Sequence, residues 1–475
     1  MTEEIISPDM SYKPNLHIVH NILNLYIEGE FETRLAIFTN WLLAHQNINL
    51  TGQRGSGKTL MVENVSRLLP DKNGLYNMSA GSDKSGYYQA EKIKAHSHIM
   101  IPELNKLNQT NRELLKDWGE GRPSKYDVVV FEGGNRRIQT FIIPPRPFIF
   151  CLADEQETRI DDQLRSRLTV IRSDISENQN IAVNIRQAQE AMLPSNPRKY
   201  DIEDFKKMQN HIATLPQWDE KSFRHPAANV FVGCIPTLFT DCRRDFPKYL
   251  KNTYGITRFY WKERLYQEIN TLDDYDKLVK RKVFFVTPED MYYNHIIYGN
   301  MLIESSLRCS NIERQLIKII QKSKEPINRN SIQAKVRQEG MNMSAHMITR
   351  HLSTLADLGY VEIYKIGNSI ATYGVGQLFK DFVFKINWNE VIAESIKNIK
   401  KYYPDIADEY IKRYCDNPRA LNPFSAIEIQ LKDIEEVKPK YVSELEKHFT
   451  QEELEETPVI EEELIEEDNI DEEIV

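Results

Sequence analysis

The run Gly52-x-x-x-x-Gly57-Lys58-Thr59 sets the residue types of a phosphate cradle at the spacing such a cradle needs. Gly52, Gly55 and Gly57 let backbone N–H groups turn inward around phosphate oxygens. Lys58 reaches the terminal phosphates, and the Thr59 hydroxyl ligates magnesium at a helix N-terminus. Further along, the stretch HIMIPELNKL at 98–107 ends an apolar run in Pro102 and Glu103. A carboxylate at the end of such a run is the kind of group that activates water for attack.

A cradle of this kind is held by a strand ahead of it and a helix behind it, and both are legible. NINLTG reads as an apolar strand, and Leu60, Met61, Val65, Leu68 and Leu69 recur at helical spacing after the loop. Downstream, YDVVVFEGGNRRIQTFIIPPRPFIFCLAD reads as a hairpin followed by a central strand, because two β-rich runs flank paired glycines. Arg136 and Arg137 sit at the hairpin tip.

The chain has 475 residues, 41% of them hydrophobic and 28% charged, which suits roughly two to four soluble globular domains. The opening MTEEIISPDM has no basic region leading into an apolar stretch, and no window reaches the roughly 18 to 20 apolar residues of a membrane span. A soluble, intracellular, cytoplasmic protein without a membrane partner is expected. The five cysteines, Cys151, Cys234, Cys242, Cys309 and Cys415, are scattered and never form CxxC. That pattern argues against a disulfide framework and a zinc module.

The formal charge of -9 is unevenly placed, since the last 25 residues hold thirteen acids and no base. The remainder has 57 acids against 61 basic residues, a surplus of four positive charges that leaves nucleic acid open as a partner. Residues 451–475 read as an acidic disordered tail, either solubilising or able to dock a protein partner or mimic DNA.

These segments resemble, in order, those of the AAA+ ATPases, especially the branch holding the minichromosome-maintenance (MCM) helicases. IMIPELNKLNQTNRELLKDWGEGR is similar to that branch's Walker B strand, catalytic glutamate and following helix. The resemblance implies that Glu103 polarises the attacking water, while Pro102 stands where the family usually has aspartate. The hairpin is similar to one that projects into the ring channel and touches DNA, which implies Arg136 and Arg137 as candidates for contact with DNA phosphates, with a plain solvated turn as the competing reading. At the sensor 1 position stands Asp154, on a strand expected beside the Walker B strand. It either supplies the missing carboxylate near magnesium or merely caps the following turn.

DDQLRSRLTVI is similar to the stretch whose arginine reaches the neighbouring subunit's ATP. The match implies Arg167 as the finger, with Arg165 second, against the alternative of two surface arginines on a helix end. The stretch from about 175 to 305 reads as mainly helical and resembles the helical lid, with Arg243 or Arg244 in the place of the nucleotide-binding sensor 2 arginine. VTPED reads as a helix start, with Thr287 as cap and Pro288 in the first turn. The large N-terminal collar of MCM proteins has no counterpart in the fewer than fifty residues ahead of the loop. The resemblance therefore covers the ATPase core at roughly 45–305.

From Asn311 the periodicity gives three helices and a β-ribbon turning at Gly367-Asn368, a winged helix-turn-helix pattern. It carries nine basic and five acidic residues. On its third helix His346, Arg350 and His351 alternate with core positions, so Arg350 is the candidate for a DNA groove contact. Service as a protein-binding module is the alternative.

The expected fold class is thus an α/β P-loop AAA+ core with a helical lid, followed by a winged helix-turn-helix domain and an acidic disordered tail. The expected boundaries are 1–174 for the core with its lead-in, 175–306 for the lid, 307–377 for the winged module, 378–450 for a helical region and 451–475 for the tail. The resemblance implies an ATP-dependent, DNA-acting AAA+ ATPase, an MCM-like replicative helicase or helicase-like replication initiator. ATP and Mg2+ are the implied cofactors and a hexameric homo-oligomeric ring the implied assembly. An AAA+ regulator or remodelling chaperone acting on protein partners without unwinding DNA is the reading from another class.

Overall fold

In the computed structural model, all five residues of β1 (Ile48–Gly52) are buried, as expected of a strand in the middle of a sheet covered on both faces. The structure describes residues 12–434 except 71–73, 79–88, 104–106, 108, 133–134, 154–159, 161, 175–176, 193–201, 233–241, 273–277, 307–308, 324, 340, 342, 366–369 and 377–385. Asp154, the Gly367-Asn368 turn and the acidic tail therefore lie outside the described residues.

Along the chain, β1 is followed by β2 (Leu75–Asn77), β3 (His98–Ile101), the hairpin β4 (Ser124–Glu132) and β5 (Asn135–Ile143), then β6 (Phe148–Ala153) and β7 (Thr169–Arg172). The hairpin expected around EGGNRR is present, paired antiparallel from Ser124–Ile143 at its base to Glu132–Asn135 at its tip. The other five strands form one parallel sheet in the order β2-β3-β6-β1-β7. As expected, β6 lies directly beside β3.

Alternation along these strands sorts two cores. Met100, Ile149, Cys151 and Ile171 face a core shared with α1 (Leu16–Asn24), α2 (Phe31–Ile37) and α3 (Lys58–Ser66). Ile99, Ile101, Phe148, Phe150 and Leu152 face α4 (Gln109–Gly119) and the base of the hairpin through Leu114, Leu115, Trp118 and Ile143. The period of two in the sequence is thus realised as two buried faces.

Residues 175–306 depart from the mainly helical expectation. Helices α5 (Glu177–Met192), α6 (Ile202–Ala213), α7 (Cys242–Phe259) and α8 (Pro288–Asn294) are there, and α8 runs on as a π-turn and a further helix to Ser306. Beside these helices, however, stands a small sheet with the order β8-β10-β9, from β8 (Phe223–Arg224) ahead of α7 and from β9 (Tyr266–Leu272) and β10 (Leu278–Phe285) between α7 and α8. The physical reason is the cross-strand pairing of LVKRKVFF with YQEINTL, which sets Lys282 opposite Glu268 and Lys280 opposite Asn270 and ends in the buried Val283, Phe284 and Phe285. The VTPED helix start is realised as a capping box in which Thr287 and Asp290 satisfy each other's backbone N–H groups.

A buried polar seam joins α7 to α8. Asn252 donates to Asn294 at 2.6 Å, Asn294 donates to Thr253 at 2.7 Å, and Thr257 donates to Asp290 at 3.0 Å. Arg264 closes the seam with bonds to both Asp290 oxygens, at 2.6 and 3.1 Å, and to Glu289 at 2.9 Å.

Helices α9 (Asn311–Gln321), α10 (Arg329–Gln338) and α11 (Ala345–Asp357) follow, with β12 (Val361–Tyr364) and β13 (Thr372–Val375) forming a ribbon. The short β11 (Ile327–Asn328) pairs with β13. Gly359, at φ +74°, ends α11 with the left-handed residue such a stop requires, and Tyr360 N–H returns to Leu355 O at 2.9 Å. After this module the chain comes back to the region of β10. Ile392 and Ile399 of α12 (Trp388–Tyr402) and Tyr410 of α13 (Pro404–Tyr410) bury Val283 and Phe285.

Candidate nucleotide-binding site

The parallel sheet fixes which ends of its strands meet. Gly52 closes β1 at the carboxyl edge, level with Ala153 of β6, and Glu103 follows the end of β3 at the same edge. Gly55 and Gly57 adopt φ of +83° and +74°, which side-chain-bearing residues rarely take. A Cβ on Gly52 would come within 1.8 Å of the Ser173 hydroxyl, so that glycine is required by close approach. Lys58 folds onto its own loop, donating to Gly52 O at 2.8 Å, Gln53 O at 2.6 Å and Ser56 Oγ at 3.2 Å. These three acceptors are neutral and lie on the loop itself, which holds the ammonium within the curve of the loop.

Beneath the loop, burial pushes the Cys151 thiol up to about 12, and the Thr59 hydroxyl contacts it. Thr59 thus begins α3 directly above β6, where its oxygen can ligate a phosphate-bound magnesium. Glu103 is exposed at the same edge. Pro102 adds no ligand. Among the described residues no group of three His, Cys, Asp or Glu side chains forms a metal cluster. The donor set fits an ion held mainly by phosphate oxygens and one hydroxyl.

Beside the loop lies a cavity of about 630 Å³, lined by Gly55, Ser56 and Met61 on one side and by Tyr26, Ile27 and Val183 on the other. Its α5 wall is tied to the lead-in by Gln179 donating to Glu28 O at 2.7 Å and Arg186 donating to Leu25 O at 2.7 Å. Glu30, buried at 7% exposure with φ +51°, is also at this cavity and accepts from Asp174 N–H at 2.9 Å. Burial raises its carboxyl to about 8 despite that bond.

Because the folded carboxyl holds its proton to higher pH than the unfolded one, Glu30 makes the chain less stable as pH rises from the ordinary carboxylate range to about 8. Thermal melts of Glu30→Gln across that range are expected to fall less with pH than those of the unaltered chain. Parallel curves would refute the assignment.

Sequence reasoning missed Ser173, Asp174 and Glu30. Ser173 Oγ lies 3.0 Å from Ser56 Oγ and so buttresses the loop from β7. The signal was the SD pair directly after an apolar strand, which carries little weight until that strand is known to adjoin β1.

Arg167 lies at the opposite, amino edge of the sheet, just ahead of β7, across about 16 Å of strand. It is partly buried, packs against Gly119 and pairs with Glu120, which also binds Arg122 at 2.9 Å. Arg165 is half-buried in the same turn. Arg244 donates to Ser166 between them, and Arg243 is exposed beside it at the start of α7. The structure thus groups Arg244 with the candidate finger rather than with the loop of its own chain.

Arg136 and Arg137 are exposed near the hairpin tip. Val129 and Ile138, directly paired, are exposed there too, at 56% and 73%. In the later module Arg350 is exposed on α11, whereas His351 faces inward to Glu313 at 3.1 Å. Burial acts to raise the Glu313 carboxyl, but bonds from His351 and Ser310 outweigh it and hold it below the usual range.

The loop and the sheet define an α/β protein of the phosphate-binding-loop class with a parallel central sheet. No family model matches the chain, and no curated protein matches it. Among solved structures it is similar to a Cytophaga hutchinsonii protein proposed to be an ATPase, at TM-score 0.32 and 12% identity over 59% of this chain and 83% of that one. It is also similar to the Aeropyrum pernix ORC1 protein in complex with DNA, at TM-score 0.25 and 10% identity over 83% and 97%. Brucella abortus NtrX in complex with ATP gives TM-score 0.24 and 14% identity over 74% and 69%. Likenesses this loose carry no argument, and the class rests on the chain's own loop and strand order. No helix among the described residues is long and apolar enough to cross a membrane.

Proposed function

We propose that the chain is an AAA+ ATPase, MCM-like in its core, that acts on DNA as a replicative helicase or helicase-like replication initiator. The observation that carries this reading is the insertion between β3 and β6. A single excursion holds α4 and an arginine-tipped hairpin, and it joins the strand before Glu103 to the strand beside the loop strand. An exposed arginine pair on a hairpin joined to both strands suits contact with a polyanion that nucleotide turnover moves.

In this reading Lys58 and the loop N–H groups hold the ATP phosphates. Thr59 holds Mg2+, which neutralises phosphate charge, and Glu103 orients and deprotonates water. Arg167 lies too far from its own loop to act there, so it serves a neighbouring subunit, with Glu120 setting its position. That requires a homo-oligomeric ring, taken as a hexamer. Arg244, beside Ser166, joins the same trans face. The module at 311–376 acts as a winged helix-turn-helix that offers Arg350 to DNA.

DNA stimulation of ATP turnover tests the reading. Neutralising Arg136 and Arg137 together is expected to remove most of the stimulation while leaving DNA-free turnover intact. Turnover that responds to a protein partner and ignores DNA would favour a remodelling chaperone instead.

A further inference from the structure

The small sheet in the lid carries a groove that the ATPase reading does not use. It has a volume of about 790 Å³ and lies along β10, where β8 pairs with Phe284 and Phe285 and, among the described residues, no strand pairs with Val279 to Lys282 on that side. Two indoles, Trp218 and Trp261, line it, and both are half-buried. Phe223 and Phe284, stacked at 6.0 Å and nearly fully buried, form its floor. Among the lining residues four cations, Lys221, Lys280, Arg281 and Lys282, face one carboxylate, Asp219, which pairs with Arg281 at 3.0 Å.

Pleating puts Lys280 and Lys282 on the same face of β10, two residues apart. Lys280 leans on Glu268, whereas Lys282 sits 3.5 Å over the Tyr266 ring. Partly exposed aromatic faces flanked by a surplus of cations match one polymer in particular. Unpaired bases stack on aromatic rings, and the phosphates between them need positive charge. Paired bases hide their faces inside a duplex and cannot use the indoles.

We propose that this groove binds single-stranded nucleic acid, with a base stacking on Trp261 and phosphates held by Lys280 and Lys282, while Trp218, packed between His45 and Phe223, walls the groove. It is a contact separate from the β4–β5 hairpin and from the α11 surface, and it is independent of nucleotide hydrolysis. It gives the lid a hold on a displaced strand while other elements engage the duplex.

The chain supplies its own reporter. Of its five tryptophans, Trp41, Trp118 and Trp388 are at most 2% exposed, so a stacked base can quench only Trp218 and Trp261. The experiment is a titration of the full chain with an oligothymidylate of about twenty nucleotides. Tryptophan emission is followed at several salt concentrations, with a duplex of equal length as comparison.

Quenching by the single strand is expected, and Trp261→Phe is expected to remove most of it. The double variant Lys280→Gln/Lys282→Gln is expected to bind about tenfold more weakly. It should also flatten the slope of log affinity against log salt by about 1.4, as two lost phosphate contacts require. Both variants change exposed or half-exposed positions, and unchanged melting temperatures would confirm that they fold.

Lys58→Ala is expected to quench like the unaltered chain, so failure of the ATPase reading leaves this result intact. Absence of quenching, quenching that survives both variants, or equal quenching by the duplex would each overturn the proposal. So would an acidic peptide of matched charge that binds the groove as tightly as the oligonucleotide, since that would make it a protein-docking edge.

Discussion

A Lys58→Ala chain will fold and lose ATP turnover, by at least about a hundredfold, whereas Glu103→Gln will keep ATP binding and lose turnover by about 10²–10⁴-fold. The difference between the two follows from where each side chain stands. Lys58 rests on the Gly52 and Gln53 carbonyls, inside the curve of the loop, so its charge is already at the place a phosphate takes. Removing it leaves the N–H groups without the cation that holds the terminal phosphates. Glu103 stands two strands over, just past the end of β3 with β6 between, and in the proposed reading it touches the attacking water rather than the nucleotide. Fluorescent-nucleotide binding and phosphate release, measured side by side, check both. A Glu103→Gln protein with full turnover would show that Pro102-Glu103 is not the catalytic pair and would reduce the loop to an ATP-operated assembly switch.

Asp290→Ala is expected to cost about 3–5 kcal/mol of stability, because it strands a charge in the interior. Arg264 is 2% exposed and Asp290 is fully buried, so neither can recover hydration when the other is lost. Asp290 also accepts from Thr257 and from the Thr287 backbone, so the same change opens the α7–α8 seam and the capping box that starts α8. Urea denaturation should show the loss. Replacing Arg264 and Asp290 together by apolar residues of similar volume is expected to cost far less, because the charge left behind, Glu289, is partly exposed and can turn to water. If the single and double replacements cost the same, the pair contributes packing only.

What the sequence disclosed follows from how local each signal is. The phosphate loop, the hairpin around EGGNRR, the Thr287 cap and the stop at Gly359 each depend on residues within one or two turns of chain, and all four are present. The β9–β10 pair was hidden because Lys280, Arg281 and Lys282 interrupt the apolar alternation that marks a strand. Its last three residues, Val283, Phe284 and Phe285, also read equally well as part of a helix. Neighbours across the sheet were the least legible part. Ser173 against Ser56, and Arg244 against Ser166, are brought together by strand order, which no local pattern encodes. The roles assigned to Glu103, Arg167 and Arg136 came from resemblance. The structure adds where each stands.

The return of the chain from the module at 311–376 to β10 changes what can be cut away. His17 meets Pro423 O at 2.9 Å, and Tyr410 donates to Val286 O at 2.7 Å, so the last helices belong to the body that the first helix begins. The module is therefore a loop with both feet on the same platform. Shortening the protein at Ser306 would strip α12 and α13 from Val283 and Phe285 and expose bare apolar surface, whereas excising 311–376 with a short bridge would leave that platform roofed. Because the chain leaves one body for the module and returns to that same body, anything the module binds is kept at a bounded distance from the nucleotide loop.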